Sequence, residues 1–541
     1  MRPSIFLGVL KNCCRHVKDW ARELFGKAPE RVLPHDWFSP SEMLSYAELK
    51  KASSALQNVD RSSWKDLSLD GYVAAIASEG SILAKQLLCK RIVFGQSAED
   101  IKAYKSWHRS VSGEAATSTK LRCKPLLEID QDLVPALFQG NLPNIEVTTR
   151  LVTIYVGILV FSASTLLGGA PALGAVGALL AFFLYATVTV RSSADYGAWK
   201  RLQGALICLL NVAEDLTRPD SDHTFLSPVR SGSWTSAIAN VRKRISPSLT
   251  NGIPFLGDYI QILTLRNQWE ASRQLSIVRD NACLFRSAFE FVANVEADCL
   301  LYGHINSNAA RVCWREESTT LTGFKFDALL TPGELEGDPV SLECTGAGAL
   351  ITGANGAGKS TLLRALAMNF AIGNSLGFCY AKYARIPSMP VRTSMVAEDD
   401  ARAGLSLYMA EMQRASEILA DVQAQPCLCI FDEIFKGTNH AESVACGAAI
   451  LRFLENKALT IVSSHHVVLA EYLSKRFDRL CVIKGSNRTL ERGLISKTNG
   501  VLMMQAFNIP VSIISDAKSI SDGFAKSMTA LGSMASPLPC A

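Results

Sequence analysis

The hydrophobic and polar pattern divides the chain before any motif is considered. From Leu151 to Val190 there is no Asp, Glu, Lys, Arg or His. At roughly forty residues the run is long enough for two crossings of a hydrocarbon core at about twenty residues each. Gly168-Gly169-Ala170-Pro171 marks a turn near its middle. The pattern predicts a helical hairpin, with one span near 151–167 and a second near 172–190. The alternative is a hairpin buried in a large soluble core, which usually keeps one polar face. Arg150 precedes the run, and Arg191, Lys200 and Arg201 follow it. Positive charge at both ends predicts that both termini and the domains outside the hairpin face the cytoplasm.

On either side of the run the texture is helical and polar. Residues 41–150 carry apolar positions at helical spacing, among them Leu83, Leu87 and Leu88. Residues 191–315 read the same way, broken by Pro219, Pro228, Pro247 and Pro254, with a single long helix expected from Ile260 to Val295. From about Phe324 short apolar strands alternate with helical stretches, the signature of an α/β domain over 320–520. Residues 521–541, rich in Ser, Ala and Pro, read as a loose tail. The N-terminal basic segment, 1–40, has a short apolar stretch from Ile5 to Leu10, then Lys11, Arg15, His16 and Lys18. That stretch is too short for a secretory signal. It suits a surface helix, a loose terminus or a basic amphipathic helix on a membrane. The fold class is therefore multidomain α plus α/β: a helical region interrupted by a two-span transmembrane hairpin, then a P-loop domain.

Composition adjusts this picture only slightly. A chain of 541 residues exceeds one ordinary domain. Hydrophobic residues make up 48% and charged residues 19%, and the mean hydropathy of +0.15 is high for a purely soluble protein. A net charge of +5 is too mild to argue for nucleic acid by itself. The 15 cysteines are scattered, and neither Cys13-Cys14 nor Cys427-x-Cys429 has zinc-ligand spacing. They read as reduced thiols of a cytosol-facing protein.

The candidate chemistry lies in the α/β part. Gly353-Ala354-Asn355-Gly356-Ala357-Gly358-Lys359-Ser360-Thr361 fits G-x-x-x-x-G-K-[ST] at every fixed position. Its glycines let backbone N–H groups wrap a phosphate, and the following helix points its positive end at that phosphate. Lys359 can reach the β- and γ-phosphates of ATP, and Ser360 can ligate Mg²⁺. About seventy residues on, the apolar run Cys427 to Phe431 ends in Asp432-Glu433. This is a Walker B arrangement, with Asp432 in the Mg²⁺ shell and Glu433 orienting or deprotonating the attacking water. A third strand, Thr460 to Ser464, ends in His465-His466. His465 stands where a histidine can sense the γ-phosphate, whereas His466 reads as structural. Gly404 and Ser406 precede a helix start, which makes either a second anion-binding terminus or an ordinary cap.

Together these segments resemble the ATPase domain of the MutS mismatch-repair family, a branch of the ABC-type ATPases. That family has T-G-P-N-x-x-G-K-S-T, and this chain has Thr352-Gly353-Ala354-Asn355 through Thr361, with Ala354 in place of proline. Asp399, Asp400, Gly404, Ser406, Tyr408, Met409, Glu411 and Met412 match a second family stretch. Asp432, Glu433, Gly437 and Thr438 match a third, Ser464-His465 a fourth, and Gly500-Val501 with Pro510 to Ala517 the helical tail. The run from Glu79 to Leu88, with Ile101, is similar to the start of the family's core region.

The resemblance implies a head-to-tail homodimer in which Ser406 reaches the partner's nucleotide. It also implies that the helical regions correspond to the family's core and lever. The family's Phe-x-Glu mismatch wedge is another matter. Phe-x-Glu occurs here only at Phe431-Asp432-Glu433 and Phe453-Leu454-Glu455, and too little chain precedes the core for the mismatch-reading domain. Glu433 to Asn439, with the mid-chain apolar spans, is similar to a membrane-anchored bacterial subgroup lacking that domain. The expected function is a membrane-bound, dimeric, MutS-like ATPase using ATP and Mg²⁺ and contacting lipid, with DNA as a ligand by family resemblance. The alternative is a membrane-associated ABC-type motor or scaffold ATPase with no DNA role. Basic clusters are small: Arg242-Lys243-Arg244, and Lys475, Arg476 and Arg479.

Overall fold

The computed structural model describes residues 38–49, 57–217, 232–247, 264–318, 320, 323–333, 338–354, 356–395, 407–435, 437–465, 469–473, 477–484, 488–493 and 510–520. Nearly all of the N-terminal basic segment, the tail 521–541, and Asn355, Ser406 and His466 lie outside them.

The first helices are α1 (Pro40–Leu49), α2 (Arg61–Asp66), α3 (Leu69–Ile76), α4 (Ile82–Phe94), α5 (Ala98–Ser110), α6 (Gly113–Cys123) and α7 (Val134–Phe138). Short polar side chains start several of them. Asp60 accepts the Ser63 N–H, Ser97 that of Asp100 and Ser112 that of Ala115. Each satisfies one of the donors that a helix start leaves unpaired.

The charge-free run forms α8 (Thr149–Leu167) and α9 (Pro171–Leu216). Thr148 caps α8, Gly168 ends it, Gly169 turns the chain at φ +86°, and Pro171 opens α9. Small residues let the two helices touch. A Cβ on Gly174 would lie 2.4 Å from Leu166, one on Gly177 would lie 3.1 Å from Ser162, and the Ser162 hydroxyl donates to the Gly174 carbonyl at 2.5 Å. The outer faces expose Phe161, Leu179, Phe182 and Phe183, so this hairpin is not buried within the described residues. By length and composition both helices can cross a membrane. The second does not stop near 190: it runs unbroken for 46 residues into the helical region. No proline or glycine interrupts residues 188–196, and the exposed apolar surface gives way to an amphipathic face buried at Trp199, Leu202, Leu206 and Leu209.

Two further helices, α10 (Gly232–Ile245) and α11 (Arg266–Asp280), lead to α12 (Ala282–Ser307). The single helix expected over 260–295 is thus two. Asn281 ends α11 at φ −110°, ψ 23° and starts α12.

Strands β1 (Cys313–Trp314), β2 (Glu316–Glu317), β3 (Phe324–Leu329), β4 (Val340–Cys344) and β5 (Gly348–Gly353) follow. Next come α13 (Lys359–Leu376), β6 (Phe378–Cys379), β7 (Tyr383–Ile386), β8 (Val391–Ser394), α14 (Leu407–Ala424), β9 (Leu428–Asp432), α15 (His440–Leu454), β10 (Leu459–Ser463), α16 (Leu469–Tyr472), β11 (Phe477–Lys484) and β12 (Arg488–Arg492). The main sheet has the order β12-β11-β5-β10-β9-β8 and is parallel except for β12. Along β5, Ala349 and Ile351 join the core that holds Leu363, Leu366 and Phe370 of α13, whereas Leu350 joins the core of α14 and α15. The sheet is therefore covered on both faces, as parallel sheets are. A smaller sheet, β2-β7-β3-β4, stands beside it.

The molecule is thus a mixed, helix-rich α/β structure, and its helical and α/β parts share one apolar core from Met43 to Val482. Residues 57–66 are stitched to the β8 edge. Val59 bridges Val391, the Val391 N–H donates to the Asn58 carbonyl at 2.7 Å, and Asp66 accepts the Thr393 hydroxyl and the Met395 N–H. Arg414 pairs with Asp60 at 2.5 Å.

Candidate nucleotide-binding site

The carboxyl ends of β5, β9 and β10 open onto one crevice, the place where ligands sit in open parallel sheets. The central strand must lie close to its neighbour. A Cβ at Gly348 would come within 1.9 Å of the Thr460 carbonyl oxygen. After β5 the chain turns through Gly356 (φ +73°) and Gly358 (φ +91°), both in the left-handed region that glycine adopts without strain. Gly358 is the N-cap of α13. The hydroxyl-bearing Ser360 in the first turn is exposed, and Thr361 is half-buried. A glycine-bent loop feeding the positive end of an 18-residue helix can hold an anion.

Lys359 is buried at the base of this loop. Its ammonium donates to the carbonyls of Gly353 at 2.9 Å and Ala354 at 3.3 Å. Burial pushes its pKa down from the ordinary value, and the nearby Glu433 and Asp432 carboxylates oppose that shift. Lys359 Nζ also lies 3.4 Å from His465 Nε2, and the same ring nitrogen is 2.5 Å from Glu433 Oε1. One imidazole nitrogen therefore stands between the cation of the loop and the carboxylate of Glu433, the first residue after β9.

Asp432 and Glu433 are held by the neighbouring strand. In register, Asp432 lies opposite Ser463 at the end of β10. The Ser463 hydroxyl donates to Asp432 Oδ1 at 2.6 Å. The Glu433 N–H faces the same hydroxyl at 3.1 Å and the Ser463 carbonyl at 3.2 Å. Glu433 has φ +61° and Phe435 φ +57°. Two left-handed non-glycine residues cost on the order of 1–3 kcal/mol each and persist only where the surroundings fix them.

A second pair of segments meets beside this point. The buried Glu411 carboxylate of α14 accepts the Gly437 N–H at 3.1 Å, and a Cβ on Gly437 would lie 2.6 Å from the Tyr408 backbone nitrogen. Thr438 donates to Glu442, and Asn439 caps α15 by accepting the Glu442 N–H. A cavity of about 210 Å³ lies here, lined by Met395, Leu407, Glu411, Asp432, Glu433 and Phe435 among others.

Of the residues singled out in the sequence, Lys359, His465 and Glu433 are linked by direct side-chain contacts, and Asp432 joins them through the Ser463 hydroxyl, which also accepts the Glu433 N–H. Gly353, Ala354, Gly356, Ala357, Gly358, Ser360 and Thr361 form the loop and first turn. Cys427 and Cys429 are core thiols, fully buried in β9 and its approach, and the described cysteines are free. Sequence reasoning missed Ser463 and the Glu411–Gly437 contact. A small hydroxyl residue at the end of a buried strand was the available signal for the first.

Residues 349–525, which contain all of these groups, match the family model MutS domain V. This domain belongs to the MutS family. The MutS match includes the DNA mismatch repair protein MutS of Leuconostoc mesenteroides, 30% identical over 210 residues, covering 36% of this chain and 24% of that protein. The DNA mismatch repair protein MutS of Acetivibrio thermocellus is 31% identical over 185 residues, covering 32% and 21%. The DNA mismatch repair protein MutS 2 of Haloarcula marismortui is 35% identical over 121 residues, covering 22% and 13%. The chain thus spans about a quarter or less of the length of these curated relatives.

Proposed function

We propose that the chain is a membrane-anchored MutS-like ATPase that binds ATP with Mg²⁺, hydrolyses it and acts as a homodimer through its MutS domains. The observation that carries this reading is the contact chain Lys359–His465–Glu433 beside Asp432, at the mouth of a glycine loop that opens a helix. The donor set fits the cofactors. A serine hydroxyl and an aspartate carboxylate are hard oxygen ligands of the kind Mg²⁺ prefers, and Mg²⁺ shared with the phosphates neutralises their charge. Ser360 and Asp432 would hold it. The loop N–H groups and Lys359 bind the phosphates. Glu433 orients the attacking water and takes up its proton, and His465 holds the Glu433 carboxylate in place. By family resemblance Ser406 completes the partner's site.

The exposed apolar faces of α8 and α9 support insertion in a bilayer, with Arg150, Arg191, Lys200 and Arg201 on the cytoplasmic side with the ATPase. DNA is the proposed ligand of the helical region by analogy with the relatives, which are named as mismatch repair proteins. One observation favours the alternative, a membrane motor or scaffold with no DNA role. Arg242 of the basic cluster in α10 is engaged by Glu214 at 2.9 Å and by Asn211.

The test uses the full chain in lipid nanodiscs. Glu433→Gln should retain ATP binding and lose about 100-fold or more of turnover; undiminished turnover would remove Glu433 from the chemistry. Resistance to alkaline extraction from membranes tests the anchor. DNA affinity that falls steeply with salt supports the DNA version, and no binding alongside intact ATPase activity sinks it.

A further inference from the structure

Ser463 is the last residue of β10 and is fully buried. Its hydroxyl has two partners that belong to two different functional residues. The O–H donates to Asp432 Oδ1 at 2.6 Å, and the oxygen accepts from the Glu433 N–H at 3.1 Å. These are the residue expected in the metal shell and the residue expected to handle the water. They are adjacent in the chain, and the turn between them is unusual: Glu433 takes a left-handed backbone, and its side chain then meets His465. The Ser463 carbonyl also accepts the Glu433 N–H, as a ladder bond that would survive loss of the side chain. The hydroxyl is therefore not what pairs the strands. What it adds is a hold on the rotation of the Asp432 carboxylate through Oδ1, with Oδ2 outside that bond.

We infer that Ser463 is a positioning residue for the metal shell, presenting one Asp432 oxygen to the nucleotide-bound divalent cation. This rests on the ATPase reading above. A carboxylate that must hold a metal through one oxygen gains from having the other hydrogen-bonded. Such outer-shell partners are typically worth about 10-fold to 100-fold in metal affinity. The donor is neutral, so it orients the carboxylate without competing with the metal for its charge.

The experiment measures Mn²⁺ binding by the loss of its free-ion electron paramagnetic resonance signal beyond the loss caused by the same ATP without protein. It uses the full chain with ATP, in a Glu433→Gln background that prevents turnover. Ser463→Ala should weaken Mn²⁺ binding about tenfold or more, with metal-free ATP affinity unchanged. Ser463→Cys fills the same space with a poor donor and should resemble Ser463→Ala. If Ser463→Cys or Ser463→Ala binds Mn²⁺ as tightly as the parent, the hydroxyl serves packing alone and the inference falls. If the Ser463-containing parent itself fails to bind Mn²⁺ with ATP, the ATPase reading falls instead, so the two failures are distinct.

Discussion

The carboxylate of Glu411, near the start of α14, accepts the backbone N–H of Gly437 in the turn that follows the Asp432-Glu433 pair. Two stretches that the sequence presents separately are thus one junction, and it leaves no room for a side chain at position 437. In Gly437→Ala the new methyl would lie 2.6 Å from the Tyr408 nitrogen, an atom of fixed backbone. Overpacking of this kind costs about 1–3 kcal/mol. The turn should move off α14, and kcat should fall several-fold more than the affinity for ATP. Steady-state kinetics alongside equilibrium nucleotide binding separates the two effects.

Arg392 on β8 is almost completely buried. Its guanidinium pairs with Asp421 at 2.5 Å and donates to the carbonyls of Gln57 and Asn58. Arg392→Ala strands those acceptors and leaves Asp421 without its partner. The expected loss is about 3 kcal/mol of stability, read as a lowered midpoint in chemical denaturation. Arg392→Lys should recover only part, because one ammonium cannot serve three separated acceptors.

Glu296 on α12 is fully buried and accepts both the N–H and the hydroxyl of Ser81. Burial pushes its carboxyl up to about 7, although the Ser81 bonds and Lys85 favour the charged form. The folded value lies above the ordinary 4.5. The folded state therefore binds more protons between these values, and stability falls as pH rises through that window. The contribution is complete below about pH 4.5 and lost above about pH 7, on the order of 3 kcal/mol. The measurement is the difference in unfolding free energy between wild type and Glu296→Gln at pH 5 and pH 8. The wild type should lose ground to the variant as pH rises. Equal slopes would remove Glu296 as the source.

The parts of the site that were legible in the sequence are those whose chemistry needs fixed local spacing. Gly353 to Thr361 had to be contiguous because one loop and one helix start do the binding. Asp432-Glu433 stood out as two acids closing an apolar run. What stayed hidden depends on neighbours across strands or far along the chain. Ser463 matters through the register of β10 with β9, which no single segment reveals. Asn58 and Asp66 contact β8 across more than three hundred residues, and nothing in their local pattern announces it. The hairpin and its turn were legible, since uniform hydrophobicity and a Gly-Gly-Ala-Pro break are local signals. The end of α9 was not. A loss of hydrophobicity at Arg191 looks like the end of an element, yet a helix needs only a continued absence of breakers to go on. The opposite error arose at Asn281, where the apolar period continues on both sides of a break.

The uninterrupted α9 has a mechanical consequence. At 1.5 Å per residue, its 46 residues make a rod of roughly 70 Å. One end packs against Ser162 and Leu166 through Gly174 and Gly177; the other is buried at Leu206 and Leu210 in the core shared with the MutS domain. Between them lies no loop or proline, and the helix runs on through Gly197 and Gly204. One continuous helix therefore joins the hairpin to the core, so the two ends are connected through helical backbone alone.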